Sequence, residues 1–107
     1  MPYKIVLTEA AKNDFQSLDR SVKLQVAKQL KKLETSPHLG EHLGKKGAFD
    51  LTGYYKLYAV RKAIRVVYRI DESTVIVEIA AIGKREDLQV YRIAFKRILK
   101  EKRRRGK

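Results

Sequence analysis

Hydrophobic and polar residues alternate at the start of the chain, and the spacing then changes to that of a helix. Three hydrophobic residues separated by single positions predict a short strand that ends at Thr8; they are Tyr3, Ile5 and Leu7. The next apolar residues recur at intervals of four and three, which predicts a helix over residues 9 to 18; they are Ala11, Phe15 and Leu18. Thr8 is then in position to cap that helix.

A second helix is predicted directly after the first. Its apolar positions are Val22, Val26, Leu30 and Leu33. We expect it to end near Pro37, because the residue before a proline is disfavoured in the helical conformation. Two helices joined by so short a turn form a hairpin, and the apolar side of that hairpin needs a sheet to cover it.

Residues 37 to 53 are rich in glycine and show little periodicity, so they are predicted to form a loop, with a brief strand at residues 48 to 51 as the only regular element. His38 and His42 lie four residues apart, a spacing that suits a metal site on a helix. The neighbouring proline and glycine disfavour a helix, and no third ligand is evident. We therefore interpret both as solvated loop histidines and predict no metal site.

Between residues 54 and 82 the hydrophobic residues follow a period of two, interrupted by polar turns at residues 61–62 and 71–73. This pattern predicts a three-stranded antiparallel meander. A symmetric first turn places Tyr58 opposite Arg65. One face of the meander is predicted to pack beneath the helices through Ile64, Val66, Tyr68 and Ile70. The other face is predicted to be open and to carry Lys56, Tyr58, Arg65 and Arg69.

The last strand of the meander leads into a basic junction. An apolar run ends at Gly83, which is expected to relax the backbone, and Lys84 and Arg85 follow. A terminal helix is predicted from Asp87, which serves as its cap, with Tyr91 near its start. Its apolar flank comprises Val90, Ala94, Phe95, Ile98 and Leu99. Its other side is basic and includes Lys96, and repulsion among its cations is expected to fray the last turn.

These elements define an α+β fold: an N-terminal strand, a helical hairpin, a three-stranded antiparallel meander and a C-terminal helix. At 107 residues the chain suits one domain, residues 1 to 107, with a basic tail at about residues 100 to 107. Its 25 Lys and Arg against 12 Asp and Glu give a net charge of +13. That charge favours an anionic partner, which can be RNA, DNA or an acidic polypeptide.

The chain contains no cysteine, which excludes a disulfide framework, a thiolate metal site and a thiol nucleophile. A reducing compartment suits such a composition. The N-terminus lacks the apolar region of a secretory signal, and no segment approaches the length of a membrane span. We therefore expect a cytoplasmic protein with no membrane partner.

Several sequence strings resemble those of the RelE/ParE superfamily of toxin–antitoxin toxins. They are GKREDLQVY at residues 83 to 91, YRI at 68 to 70, YYKLY at 54 to 58, IRVVY at 64 to 68 and FKRIL at 95 to 99. The order of elements is similar as well, and the resemblance covers most of the chain. GKRE followed by VY resembles the RelE branch, whose members are ribosome-dependent mRNA interferases. The resemblance implies a translation inhibitor without a cofactor, silenced by a cognate antitoxin in a hetero-oligomer.

The resemblance implies that Lys56, Arg65, Arg85 and Tyr91 are active-site residues. Tyr58 departs from the family pattern, which has at that position a second lysine implicated in proton transfer. Arg61 or Lys62 is the candidate to reach the site in its place. The residues expected to bind RNA are Tyr58, Arg61, Lys62, Arg69, Lys84 and Lys96.

RNA carries its own nucleophile, the 2′-hydroxyl, whose attack on the next phosphate gives a 2′,3′-cyclic phosphate and a free 5′-hydroxyl. Arg65 and Arg85 suit the negative charge that develops on the phosphate oxygens. Lys56 either holds the scissile phosphate or protonates the leaving group. Tyr91 either stacks on a base or exchanges a proton, because nearby cations are expected to lower its pKa.

Other interpretations remain open. A ParE-like protein binds and inhibits DNA gyrase without cleaving a bond, and a simple RNA-binding protein uses its basic surface only electrostatically. On a purely structural interpretation, Arg65 and Arg69 pair with Glu78 across the sheet, and Tyr91 packs between helix and sheet.

Overall fold

The computed structural model describes residues 2–46, 49–84 and 89–105. In chain order the elements are β1 (Lys4–Leu7), α1 (Glu9–Gln16), α2 (Arg20–Lys32), β2 (Glu41–Lys46), β3 (Phe49–Ala59), β4 (Ile64–Asp71), β5 (Ile76–Lys84) and α3 (Gln89–Arg105), with a 3₁₀ turn at Pro37–Leu39. The fold is α+β, as predicted. No helix within these ranges is long and apolar enough to cross a membrane.

The helical hairpin forms where the hydrophobic spacing predicts it. Thr8 caps α1, because its Oγ1 accepts a hydrogen bond from the backbone N–H of Ala11 at 3.1 Å. α1 ends at Gln16 and α2 at Lys32, so both helices are slightly shorter than predicted. Their apolar side packs on the sheet through fully buried residues that include Ala11, Val26 and Leu33.

The sheet has five strands in the order β1-β5-β4-β3-β2. β1 is parallel to β5, and the other pairs are antiparallel. The predicted meander is confirmed as β3, β4 and β5, and Tyr58 lies opposite Arg65 as the symmetric turn requires. The prediction of a loop was wrong over Glu41–Lys46, which pairs with β3 as the edge strand β2.

The sequence pattern does not predict β2, because the pairing of this strand is irregular. The register shifts between His42 and Gly44, and Gly44 has a φ of 71°, a left-handed conformation that glycine adopts readily. Leu43 is its buried apolar side chain. An edge strand with such a bulge is held by backbone hydrogen bonds to its neighbour, so it lacks the period-two pattern that marks a half-buried strand.

The two faces of the sheet bury separate clusters. The face with Ile64, Val66 and Tyr68 packs against α1 and α2, as predicted. The opposite face was predicted to be open, and this was wrong because α3 covers much of it. The apolar residues that meet there are Leu51, Val67 and Ala81 from the strands and Val90, Ala94 and Ile98 from α3. Burying this patch stabilises the fold by about 25 cal/mol per Å² of apolar surface.

α3 differs from its prediction at its C-terminal half. Leu99, predicted on the apolar flank, is exposed. The helix extends to Arg105, so residues 100 to 105 of the predicted basic tail continue α3. The predicted cap Asp87 lies outside the described residues.

An arginine clasp holds α3 to the rest of the fold. Nη1 of Arg97 donates to Oδ2 of Asp14 at 2.9 Å and to the carbonyl oxygen of Ala80 at 2.7 Å, and Nη2 donates to Oδ1 of Asp14 at 3.2 Å. Asp14 also accepts a hydrogen bond from the backbone N–H of Ile82 at 3.1 Å. The clasp therefore joins α1, β5 and α3 through one forked contact.

Arg97→Ala is expected to lower the free energy of unfolding by about 2 kcal/mol, because it leaves the half-buried Asp14 carboxylate without its charged partner. Urea unfolding measures this change. Arg92→Ala is the matched control, since it removes an exposed arginine from the same helix and is expected to change the free energy by less than about 0.5 kcal/mol. Equal effects of the two substitutions would show that the clasp adds no stability.

Candidate active site

Three of the predicted site residues meet near the turn between β3 and β4. Lys56 and Tyr58 share one face of β3, and Arg65 lies opposite Tyr58 on β4. Nζ of Lys56 donates a hydrogen bond to the Tyr58 hydroxyl at 3.2 Å and lies 5.2 Å from the ring centroid. Cζ of Arg65 lies 5.7 Å from the same centroid. Two cations therefore flank the Tyr58 phenol.

The turn itself brings a third cation to this phenol. Val60, Arg61 and Lys62 have φ angles of 54°, 53° and 72°, a left-handed conformation that costs non-glycine residues roughly 1–2 kcal/mol each. Nζ of Lys62 lies 5.7 Å from the ring centroid of Tyr58, whereas Arg61 is exposed at the tip. Of the two candidates to replace the second family lysine, Lys62 is therefore the one beside Tyr58.

Tyr91 lies on α3, with its ring beside the Arg65 guanidinium. Cζ of Arg65 lies 4.6 Å from the ring centroid of Tyr91, so the guanidinium lies close to two phenol rings. Tyr91 is only 1% exposed and belongs to the core cluster around Val67. Its hydroxyl is buried and has no hydrogen-bond partner among the described residues. This burial agrees with the interpretation of Tyr91 as a packing residue between helix and sheet.

The surroundings of Tyr58 and Tyr91 shift the pKa values of the two phenols in opposite directions. The hydrogen bond from Lys56 lowers the pKa of Tyr58, and a hydrogen bond from Arg65 lowers it further against the effect of burial. Burial raises the pKa of Tyr91 and outweighs the nearby charges of Arg65 and Lys56. The expectation that cations lower the pKa of Tyr91 was wrong. Burial destabilises the phenolate by more free energy than the nearby cations contribute to stabilising it.

Lys56 is held in place from both sides. Burial acts to lower its pKa, but the hydrogen bond to Tyr58 and interactions with Tyr91 and Glu41 raise it overall. Its Nζ lies 3.4 Å from Oε1 of Glu41, and its side chain is 16% exposed. Glu41 was missed by the sequence analysis because it lies on β2, and no periodic signal placed that segment beside β3.

The remaining cations are dispersed. Arg69 forms an ion pair at 2.8 Å with Glu78, which lies directly across on β5, and is separated from Arg65 by about 13 Å at about 3.3 Å per residue. Lys84 at the end of β5 and Lys96 on α3 are exposed.

The cluster of Lys56, Tyr58, Lys62, Arg65 and Tyr91 is hereafter called the cation–phenol cluster.

The basic junction after β5 is described only in part. Gly83 lies opposite Arg65, and a Cβ atom there would approach the Val90 side chain to 3.3 Å. The glycine thus makes room for α3, rather than relaxing the backbone as predicted. Arg85, the predicted catalytic residue of this junction, lies outside the described residues.

The two histidines pack against one tyrosine. Nδ1 of His38 lies 3.1 Å from the Tyr55 hydroxyl, and its Nε2 lies 3.2 Å from Oε2 of Glu72. The His42 ring lies 4.4 Å from the Tyr55 ring. Both histidines are exposed, as the solvated interpretation requires, but the loop assignment was wrong for His42, because it lies on the edge strand β2. Within the described ranges, no group of three or more His, Cys, Asp or Glu side chains can hold a metal ion.

Known proteins are similar to this chain in both sequence and fold. Residues 5–89 match the family model of the ParE toxin of the type II toxin–antitoxin system, parDE. The mRNA interferase toxin RelE of Escherichia coli K12 is 32% identical over 99 residues, which cover 92% of this chain and 100% of that toxin.

Two solved structures extend the comparison. A double mutant of the Escherichia coli toxin RelE in the free state gives a TM-score of 0.71 at 31% identity, covering 92% of this chain and 99% of that one. The same double mutant in complex with a peptide of the antitoxin RelB gives a TM-score of 0.67 at 26% identity, covering 88% and 95%. The chain therefore belongs to the ParE toxin family of type II toxin–antitoxin systems and is a RelE-like toxin.

Proposed function

We propose that this RelE-like toxin is a ribosome-dependent, metal-independent endoribonuclease that cuts mRNA and thereby stops translation. The observation that carries the proposal is the Arg65 guanidinium held against two phenol rings beside the protonated Lys56. Cations fixed on a rigid hairpin suit a phosphodiester whose charge increases during the reaction. The name of the relative, mRNA interferase, supports the same activity.

Arg65 has the geometry to stabilise the developing charge. A guanidinium presents several N–H donors in a fixed plane and stays protonated throughout the reaction. Its position against Tyr58 and Tyr91 restricts its rotation, so little reorganisation is needed when the phosphate oxygens gain charge. Arg65 is therefore assigned to the non-bridging oxygens of the scissile phosphate.

Tyr91 receives a different role from the two considered at first. Its ring is buried in the second core cluster, which leaves no face for a base to stack on. The raised pKa of its phenol also disfavours loss of a proton. Tyr91 is assigned instead as a positioning residue whose ring supports the Arg65 guanidinium.

Dependence on the ribosome follows from the composition of the cation–phenol cluster. It contains no imidazole, and the carboxylate beside it, that of Glu41, is ion-paired with Lys56; imidazoles and carboxylates are the side chains that most often transfer protons near neutral pH. A ribosome that holds the mRNA with its 2′-hydroxyl in line with the leaving oxygen supplies the geometric part of the rate enhancement. The toxin then needs to contribute mainly charge and proton transfer.

An antitoxin is the expected protein partner. The relative of known structure binds a peptide of its antitoxin RelB, and this chain carries a net charge of +13. An acidic segment that folds on binding would neutralise part of this charge and cover the cation–phenol cluster. The toxin and its antitoxin would act in the cytoplasm, where mRNA is translated.

Arg85→Ala is expected to reduce cleavage at least tenfold, or about 1.4 kcal/mol of transition-state stabilisation. The residue follows Lys84 directly in the chain, and Lys84 ends the strand that pairs with β4. Primer extension on mRNA from a reconstituted translation mixture measures the rate. Arg20→Ala removes the same charge from an exposed position on α2 and serves as the control. Undiminished cleavage by the Arg85 variant would remove Arg85 from the site.

Inhibition of DNA gyrase is the second candidate, favoured by the match to the ParE toxin of parDE. A gyrase inhibitor uses the basic surface for binding alone and cleaves no bond. A supercoiling assay beside the translation assay separates the two functions. Cleaved mRNA with unimpaired supercoiling supports the endoribonuclease, whereas intact mRNA with inhibited supercoiling supports the gyrase inhibitor.

A further inference from the structure

We propose that Tyr58 is the general base of the cleavage reaction, accepting the proton of the attacking 2′-hydroxyl, and that Lys56 is the acid that protonates the departing 5′-oxygen. The inference rests on the proposed endoribonuclease activity. It assigns proton transfer to the position at which this chain departs from the RelE pattern.

The surroundings of Tyr58 favour its charged form. The titratable or charged groups that face it from β2, β3, the hairpin turn, β4 and α3 are Glu41, Lys56, Lys62, Arg65 and Tyr91. Three of these are cations, and one of them donates a hydrogen bond to the Tyr58 hydroxyl at 3.2 Å. A phenolate in this position is stabilised by charge and by direct hydrogen bonding. The lowered pKa of Tyr58 agrees with this geometry.

The other described members of the site are less suited to accept the proton. Tyr91 is buried, and its pKa is raised. Arg65 stays protonated. Glu41 is a carboxylate on the edge strand, but it is ion-paired with Lys56 and its side chain is 74% exposed. Tyr58 is partly exposed and lies between the cations that would hold the phosphate.

The proton transfers balance within the Lys56–Tyr58 pair. The 2′-O–H bond breaks as its proton moves to the Tyr58 phenolate, and the 2′-oxygen forms a bond to phosphorus. The bond from phosphorus to the 5′-oxygen breaks, and that oxygen takes a proton from the Lys56 ammonium. Lys56 and Tyr58 are then both neutral. Transfer of the phenol proton along their 3.2 Å hydrogen bond restores the starting pair, so no co-reactant is required.

Single-turnover cleavage of ribosome-bound mRNA tests the assignment through its pH dependence. In the wild-type protein the rate is expected to rise with pH until Tyr58 is deprotonated, because the phenolate is the active form. Tyr58→Phe is expected to lower the rate about 10²-fold and to remove this rise. Tyr58→Lys, which restores the family residue, is expected to recover part of the rate with a different pH profile.

Glu41→Gln and Tyr3→Phe complete the set of variants. Glu41→Gln is expected to lower the rate by less than about tenfold, because Glu41 acts only through Lys56. Tyr3→Phe removes a hydroxyl that bonds to Glu72, away from the cation–phenol cluster, and controls for the loss of a tyrosine. A larger loss in the Glu41 variant than in Tyr58→Phe would overturn the assignment in favour of the carboxylate.

A spectroscopic titration provides a readout that does not depend on activity. The ultraviolet absorbance of phenolate is expected to show one tyrosine that titrates below the ordinary range, and this step is expected to disappear in Tyr58→Phe and to move to higher pH in Lys56→Gln. An identical titration of wild type and Tyr58→Phe would overturn the inference.

The two proposals fail differently. Equal rates and equal pH profiles in wild type and Tyr58→Phe would overturn the role of Tyr58 while leaving the endoribonuclease in place. Absence of cleavage by the wild-type protein on translating ribosomes would overturn the proposed function and the inference together.

Discussion

Arg65→Ala is expected to reduce cleavage of ribosome-bound mRNA by about 10³-fold, which corresponds to about 4 kcal/mol of transition-state stabilisation. The guanidinium is fixed against the rings of Tyr58 and Tyr91, and its loss removes the fixed donors assigned to the phosphate oxygens. The same substitution also removes a hydrogen bond that lowers the pKa of Tyr58. Both effects act on the chemical step, so single-turnover rates are the appropriate measurement.

Two further variants separate charge from geometry at this position. Arg65→Lys keeps the charge but loses the planar fork, and it is expected to recover no more than about tenfold of the loss. Arg20→Ala lowers the net charge equally on α2 and is expected to cleave at the wild-type rate. Full activity of Arg65→Lys would show that the site needs only a positive charge. A loss in Arg20→Ala as large as that in Arg65→Ala would indicate a general electrostatic effect.

Lys56→Gln is expected to reduce cleavage by about 10²- to 10³-fold, because it removes both the proposed acid and a cation beside the phosphate. The variant also loses the hydrogen bond to Tyr58, which makes the phenol a weaker acid and leaves less phenolate near neutral pH. The measurement is the single-turnover rate of cleavage across a range of pH, because that rate does not depend on product release.

Lys62→Gln is the comparison variant for Lys56. Its Nζ lies 5.7 Å from the Tyr58 ring centroid, and its side chain projects from the exposed turn, so the expected loss is less than about tenfold. Similar losses in the two lysine variants would contradict a specific role for Lys56. A larger loss in Lys62→Gln would identify the turn lysine as the functional replacement for the second family lysine.

The sequence predicts most of the fold because the main elements have clear periodicities. The period of two from residue 54 onward places Tyr58 opposite Arg65, and this register alone brings two of the cluster residues together. The capping role of Thr8 and the burial of Val66 and Tyr68 follow from the same local rules. Such features depend on residues close in sequence or on one strand pair.

The features that the sequence did not reveal depend on contacts between distant elements. α3 covers the face that was expected to be open, because Leu43, Leu51, Val67 and Ala81 from four strands combine into one apolar patch. That packing buries Tyr91 and reverses the expected direction of its pKa shift. Glu41 reaches Lys56 only because an irregular edge strand pairs with β3. The pairing of β2 with β3 leaves no periodic signal in the chain.

The departure from the family pattern at Tyr58 acquires a physical meaning from these contacts. A lysine in that position would place a further cation beside Lys56, Lys62 and Arg65. A phenol instead gives Lys56 a hydrogen-bonded partner with which a proton can be exchanged. The proposed role of Tyr58 would therefore place the exchanged proton on a phenol in place of the family's lysine, on the same scaffold.

The most direct test of the central claim replaces the attacking group of the RNA. After the cleavage site of the wild-type toxin has been mapped on a translated mRNA, a second mRNA is prepared with a single 2′-deoxynucleotide on the 5′ side of the scissile phosphate. The unmodified mRNA is expected to yield a 2′,3′-cyclic phosphate and a 5′-hydroxyl, and the 2′-deoxy mRNA is expected to stay intact. Cleavage of the 2′-deoxy mRNA at the same site, or no cleavage of either mRNA, would contradict the central claim.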